Sequence, residues 1–157
     1  MRDDYARQTT SITTWLICVT IAGFIIQNVA WKWLGTSAGR GFDHALSLSP
    51  EAIQSGFIWT LLSYSLLHSM SSFLHLVFNL FLIYMLGREL LPVLGRKQFL
   101  WLYAGGVLLG GLFWLATNWT HGGQLIGASA GVYALLMMFA AMNPNRPITL
   151  LLFFILP

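Results

Sequence analysis

Long apolar stretches without charge dominate the pattern of this chain of 157 residues. No Asp, Glu, Lys or Arg occurs at 8–31, 52–87 or 98–145. Each stretch exceeds the ~20 residues with which a helix crosses a bilayer. Backbone amides in lipid need partners within their own segment, and the stretches lack the alternation of barrel strands. They therefore predict transmembrane helices.

Polar and glycine-containing breaks divide these stretches into four spans and the beginning of a fifth. The predicted spans are about 12–34, 72–91, 99–117 and 126–142, followed by an incomplete run at 148–157. Pro92 to Lys97 and Asn143 to Pro147 are predicted turns, and 57–68 is an interfacial or embedded approach to the second span. The predicted fold class is all-α, a single polytopic transmembrane helical bundle over 1–157.

The last run is too short to cross a membrane. Its ten residues cover about half of a ~30 Å hydrocarbon core at a rise of about 1.5 Å per residue. We therefore expect the chain to be the N-terminal portion of a longer protein. At the other end, a cleaved signal peptide is the alternative to a first span, but such peptides carry an apolar core of only about 7–15 residues.

Composition narrows the possible functions. Hydrophobic residues make up 57% of the chain and charged residues only 8%, whereas soluble domains carry about 25% charged residues. The chain is therefore not an ordinary soluble domain. Its net charge of +3 comes from basic residues spread along the chain rather than gathered in one patch, which argues against a nucleic-acid partner.

Basic residues near the span ends indicate the orientation, because cytoplasmic loops are enriched in Lys and Arg. With a cytoplasmic N-terminus, six basic residues lie inside and two outside. The inner ones are Arg2, Arg7, Arg88, Arg96, Lys97 and Arg146, and the outer ones are Lys32 and Arg40. We expect a multi-pass integral protein of a bacterial cytoplasmic membrane, with the start of the fourth span toward the outer side.

Two polar residues inside the second predicted span are candidates for chemistry, because polar groups in lipid are costly. His75 and Asn79 lie four residues apart, so a helix places them on one face. Both side chains can donate hydrogen bonds to a common point there. The structural alternative is that they bond to neighbouring helices and only hold the span in place.

Ser129, at the start of the fourth span, is the other candidate. Gly127 and Gly131 give a G-x-x-x-G spacing that permits close helix packing without chemistry. The same residues fit the G-x-S-x-G nucleophile elbow, which requires a soluble sheet that this chain does not offer. A helix that runs from Ser129 only to Met142 has 14 residues and covers about 21 Å. Its start therefore lies below the outer surface of a ~30 Å core. Its unpaired amides suit a developing oxyanion.

Three motifs in this order resemble the rhomboid intramembrane serine proteases. They are His75-Leu76-Val77-Phe78-Asn79, Gly87-Arg88-Glu89-Leu90 and Gly127-Ala128-Ser129. Trp59, Tyr133 and the turn at 143–147 also fit, and the resemblance covers about 57–152. It implies a rhomboid-like bundle and a hydrolase that cuts transmembrane segments of membrane-protein substrates within or near the lipid bilayer.

The resemblance also implies a role for each matched residue. Ser129 is the expected nucleophile, and His75 and Asn79, with the backbone amide at the serine, are the expected oxyanion hole. The supporting residues are Gly127, Ala128 and Tyr133, the last of which packs on the catalytic histidine in the family. The family takes its general base from a histidine on a sixth span, which these 157 residues do not include. No cofactor and no metal is expected.

Two positions depart from the family pattern. Thr60 follows Trp59 where many members have Trp-Arg, which puts in doubt any membrane-surface contact made by that arginine. Ala130 stands where the last glycine of G-x-S-G is usual, so a close backbone approach is partly lost, although Gly131 follows directly.

The chain's own histidines are poor candidates for the base, since His44 and His68 are expected in loop or interfacial positions and His121 in a solvated loop. One alternative function is an inactive rhomboid-like pseudoprotease that binds transmembrane helices. Another is a small channel or transporter whose polar residues line a path. A channel requires polar residues through several spans, and the first and third spans offer few.

Overall fold

The computed structural model describes residues 2–144, with side chains described from residue 12 onward. The predicted run at 148–157 and residues 145–147 of the predicted turn lie outside this part. The described part is mostly helical and contains no strand. Its helices are α1 (Arg2–Lys32), α2 (Thr36–Leu46), α3 (Pro50–Gln54), α4 (Thr60–Ser63), α5 (Phe73–Asn118) and α6 (Ser129–Met142), with a 3₁₀ turn at Tyr64–Leu66.

Helix α5 consists of two helical segments that meet at a glycine. Gly95 has φ 73° and ψ 169°, in the half of conformational space that glycine enters without a steric cost. Pro92, which lacks a backbone N–H, lies three residues earlier. The resulting kink falls inside the predicted turn from Pro92 to Lys97, and it separates the segments 73–94 and 96–118.

Two of the described helices, α1 from Ile12 onward and α5, are long and apolar enough to cross a membrane. Helix α6 is apolar as well but has 14 residues. Large apolar side chains remain exposed on these helices, among them Trp101 and Phe113 on α5 and Met137 on α6. Helices that face lipid expose such side chains at no cost, because lipid tails are as apolar as they are.

Close packing at small residues joins the helices. A β-carbon at Gly87 on α5 would overlap the Thr13 side chain on α1. Farther along α1, a β-carbon at Gly23 would lie 2.7 Å from the carbonyl oxygen of Leu66. Helix α1 is therefore in direct contact with the 3₁₀ turn that precedes α5.

The second segment of α5 packs equally closely against α6. A β-carbon at Gly110 would lie 2.6 Å from the Cβ of Ala130, and one at Gly131 would lie 2.6 Å from the ring of Tyr103. The methyl group of Ala130 thus occupies the space that Gly110 leaves open on the facing helix. The departure from the usual glycine at position 130 is accommodated by a glycine on the neighbouring segment.

Candidate active site

An extended segment before α6 positions Ser129. Leu125 and Leu48 exchange two backbone hydrogen bonds of 2.8 and 3.2 Å, and the Gly127 N–H donates to the Tyr64 carbonyl oxygen at 3.0 Å. Tyr64 is buried, and its hydroxyl donates to a backbone carbonyl of the second α5 segment at 2.7 Å. Helix α6 begins at Ser129, two residues after the bonded Gly127 amide. Its start is therefore held by the loop region on one side and by α5 on the other.

Two independent features require glycine at position 127. Its φ is 115°, and a β-carbon there would lie 2.9 Å from Cε1 and 3.4 Å from Nε2 of His75. The same point lies 3.8 Å from the Ser129 Oγ. The imidazole of His75 and the hydroxyl of Ser129 therefore lie on the same side of the Gly127 backbone.

A cavity of about 110 Å³ brings the predicted site residues together. It is lined by His75, Phe78, Asn79, Leu82, Ser129, Val132 and Tyr133. Tyr133 lies one turn after Ser129 on the same helix and is about half exposed. The structure thus brings Ser129, His75 and Asn79 together at one cavity.

Asn79 is nearly fully buried, and its amide nitrogen has two partners. The Nδ2 atom donates to the carbonyl oxygen of His75 at 2.9 Å, and it lies 3.4 Å from Nε2 of His68. The first contact has the length of an ordinary hydrogen bond, whereas the second is long. One N–H of the Asn79 amide is therefore firmly held, and the other is weakly held.

His68 belongs to the site, although no sequence pattern placed it beside the fourth span. It lies in the loop before α5, as expected, but its side chain is completely buried. Its Nε2 accepts a hydrogen bond from the backbone N–H of Ala128 at 3.4 Å, and its ring lies 5.4 Å from that of His75. The loop folds inward because its backbone is tied to α1: Gln27 accepts a hydrogen bond from the His68 N–H.

The protonation state of His68 follows from these contacts. Burial, reinforced by the nearby His75, lowers the pKa of His68 to about 4, so the ring is neutral at pH 7. Because a backbone N–H only donates, Nε2 is the unprotonated nitrogen and Nδ1 carries the proton. At 3.4 Å the Nε2 lone pair accepts weakly from the Ala128 N–H, so His68 is placed as a hydrogen-bond acceptor beside the peptide that precedes Ser129.

The remaining histidines lie away from the cavity. The ring of His44, on α2, meets the ring of Phe57 edge-on at 5.4 Å, and His121 is exposed beside Thr120. Trp59 stacks on Phe57 at 4.9 Å, and its indole N–H donates to a backbone carbonyl of α2 at 2.7 Å. His44 and Trp59 lie between α1 and α5, whereas His121 follows α5, and none of the three lines the cavity around Ser129.

The model of the Rhomboid domain matches residues 55–157, more than half of the chain, and this range includes all three motifs. No curated protein and no solved structure matches the chain significantly.

Proposed function

Because the chain belongs to the rhomboid family, whose members are generally serine proteases, we propose that it is an intramembrane serine protease. Its substrates are the transmembrane segments of other membrane proteins. The observation that carries the proposal is the cavity in which Ser129, at the start of a short apolar helix, meets His75 and Asn79. Such a constellation in an apolar bundle suits acyl transfer shielded from bulk water.

In this proposal Ser129 attacks the carbonyl carbon of the scissile peptide, and the negative charge develops on the carbonyl oxygen. His75, Asn79 and the backbone amide of Ser129 donate hydrogen bonds to that oxygen. One such preorganised donor contributes about 3–4 kcal/mol to the transition state in a soluble serine protease. The amide of Ser129 suits this role because the first N–H groups of a helix have no partner within the helix.

The two contacts of Asn79 indicate how its amide reaches the oxyanion. The 2.9 Å bond to the His75 carbonyl orients the side chain, and the 3.4 Å contact to His68 is the weaker one. A developing oxyanion replaces the weaker contact, because a charged acceptor binds an N–H more strongly than a neutral imidazole does. His68 then keeps its hydrogen bond from Ala128, next to the nucleophile.

A serine also requires a general base. We retain the prediction that a histidine on a sixth span supplies it. His68 is not assigned this role, because it does not line the cavity around Ser129. The proposal needs neither a cofactor nor a metal: the base takes the Ser129 proton and passes it to the leaving amine as the C–N bond breaks, and water then hydrolyses the acyl ester on Ser129.

The alternative function is a rhomboid-like pseudoprotease that binds transmembrane helices without cutting them. Both functions are compatible with the same helical bundle, and they differ in whether Ser129 is an activated nucleophile. A fluorophosphonate probe applied to the full gene product in membranes separates the two. Labelling lost in Ser129→Ala supports an activated serine, and equal labelling of the two proteins contradicts the protease proposal.

The membrane arrangement is part of the proposal. We propose a multi-pass bundle in a bacterial cytoplasmic membrane, with a cytoplasmic N-terminus and with α1, both α5 segments and α6 within the bilayer. The apolar character of α1 and α5 and the family's membrane location support it. The site then lies in the outer half of the bilayer, where it meets the transmembrane segments of substrates.

A further inference from the structure

A chain of buried polar groups runs from helix α2 through α1 to the candidate active site. Gln27, on α1, is almost completely buried although it lies in an apolar span. Its Oε1 accepts a hydrogen bond from the backbone N–H of His68 at 3.1 Å, and its Nε2 donates to Oδ1 of Asp43 at 3.1 Å. The other carboxylate oxygen of Asp43 accepts from the indole N–H of Trp31 at 2.8 Å.

These contacts permit only one orientation of the Gln27 amide. In the flipped orientation, its NH₂ group would face the His68 N–H, and its oxygen would face the Asp43 carboxylate. Each pairing would join two donors or two acceptors. The Asp43 carboxylate therefore orients the amide, and the amide oxygen fixes the backbone of His68.

From His68 the chain continues into the site. The buried His68 ring accepts from the Ala128 N–H and approaches the Asn79 amide, both at 3.4 Å. Ala128 directly precedes Ser129, and Asn79 and Ser129 line the same cavity. A displacement of the His68 backbone thus moves its Nε2 atom, which both the Ala128 N–H and the Asn79 amide approach.

We propose that Gln27 and Asp43 are positioning residues, which hold His68 so that Ala128, next to the nucleophile, and the Asn79 amide keep the positions that the oxyanion hole requires. The inference rests on the proposed protease function and deepens it, because it assigns to α1 and α2 a part in organising the site. Neither residue lines the cavity around Ser129. Their effect is on the rate of the chemical step and not on substrate binding.

The variant Gln27→Met tests the proposal, since it keeps the length of the side chain and removes both hydrogen bonds. In the full gene product, the kcat for cleavage of a single-pass substrate should fall roughly 10- to 100-fold, because small misplacements of reacting groups have effects of this size. KM should stay within about twofold. Asn28→Leu is the matched control and should keep the wild-type kcat, because among the described residues the Asn28 side chain bonds to the Phe24 carbonyl of its own helix alone.

Gln27→Glu adds a second test, a pH dependence of kcat that a merely structural role of Gln27 would not produce. The introduced carboxylate would face that of Asp43 on α2, and two like charges at this distance favour the uptake of a shared proton. The other titratable group at this position is His68, in the loop before α5. Once protonated, the introduced carboxyl group would restore both hydrogen bonds, so the kcat of the variant relative to wild type should rise as the pH falls from about 8 to about 5.

The outcomes separate this inference from the proposed function. If Gln27→Met keeps the wild-type kcat, the positioning role alone is overturned. If Gln27→Met does not fold, the same conclusion follows when the kcat of Gln27→Glu relative to wild type does not depend on pH. A rise in KM in both Gln27 variants, with kcat unchanged, also overturns the positioning role. Cleavage that survives in Ser129→Ala, measured in the same series, overturns the protease function and the positioning role together.

Discussion

Gly127 and His75 are so close that a β-carbon on residue 127 would lie 2.9 Å from Cε1 of the imidazole. The ring of His75 therefore packs directly on the backbone that leads into Ser129. This contact joins α5 to the start of α6 at the cavity, and it leaves no room for any side chain between the histidine and the peptide.

Gly127→Ala should reduce cleavage about 100-fold or more, since it displaces His75 from the serine. The φ of 115° adds strain of about 1–3 kcal/mol for a residue with a side chain. Gly123→Ala is the matched control, because φ is 102° there but the nearest atom to a β-carbon is in Trp114 at 3.8 Å. We expect similar losses of Tm in the two variants and a loss of kcat in Gly127→Ala alone, and equal kcat values would contradict the contact.

The depressed pKa of His68 predicts a pH dependence of stability. Above about pH 6.5 this histidine is neutral in both the native and the unfolded chain. As the pH falls toward about 4, His68 becomes protonated in the unfolded chain but stays neutral in the native protein, so the free energy of unfolding decreases. Below about pH 4 both states are protonated, and this decrease ends.

This dependence is measured as Tm against pH in detergent micelles. The decrease between about pH 6.5 and 4 should be smaller in His68→Gln than in wild type. His121→Gln, which changes an exposed histidine, should retain the wild-type slope. Identical slopes in wild type and His68→Gln would show that His68 is not buried as a neutral group.

The contact of Gly110 with Ala130 is testable with a double-mutant cycle. Gly110→Ala should destabilise the protein by about 1–3 kcal/mol, because two methyl groups would compete for one space. Combining it with Ala130→Gly should recover most of that loss, so the coupling energy is large. Gly105→Ala, with no atom within 4 Å of the added methyl group, should not destabilise. Additive effects in the double mutant would contradict the packing.

The sequence predicted the candidate site better than it predicted what supports that site. His75 and Asn79 share a face of a helix, and Ser129 begins α6, as the i, i+4 spacing and the glycine-rich segment indicated. The kink at Gly95 likewise falls within a predicted turn. Such features depend on local backbone preferences, which a sequence pattern carries directly.

The buried position of His68 could not be predicted in this way. It depends on a hydrogen bond to Gln27, 41 positions earlier, and on another from Ala128, 60 positions later. No periodicity links residues so far apart. The one available signal was Gln27 itself, a polar residue in an apolar span, since such residues are costly unless they have a partner.

His75→Ala and Asn79→Ala should each lower kcat by about 10²–10³-fold while KM changes little, because oxyanion donors act mainly in the transition state. Leu74→Ala, at a largely exposed position on the same helix, is the control and should behave as wild type. Full Michaelis–Menten series on a single-pass substrate separate the two constants. Equal effects on kcat and KM would instead indicate that the two residues only hold α5 in place.

The most direct measurement is cleavage of a single-pass reporter with a helix-weakening segment by the full gene product in membranes. We predict that the wild type and the control Ser55→Ala, an exposed serine, produce the cleaved fragment and that Ser129→Ala produces none. Undiminished cleavage by Ser129→Ala would contradict the assignment of the nucleophile. Absence of cleavage by wild type, with no phosphonate labelling of Ser129, would contradict the protease function.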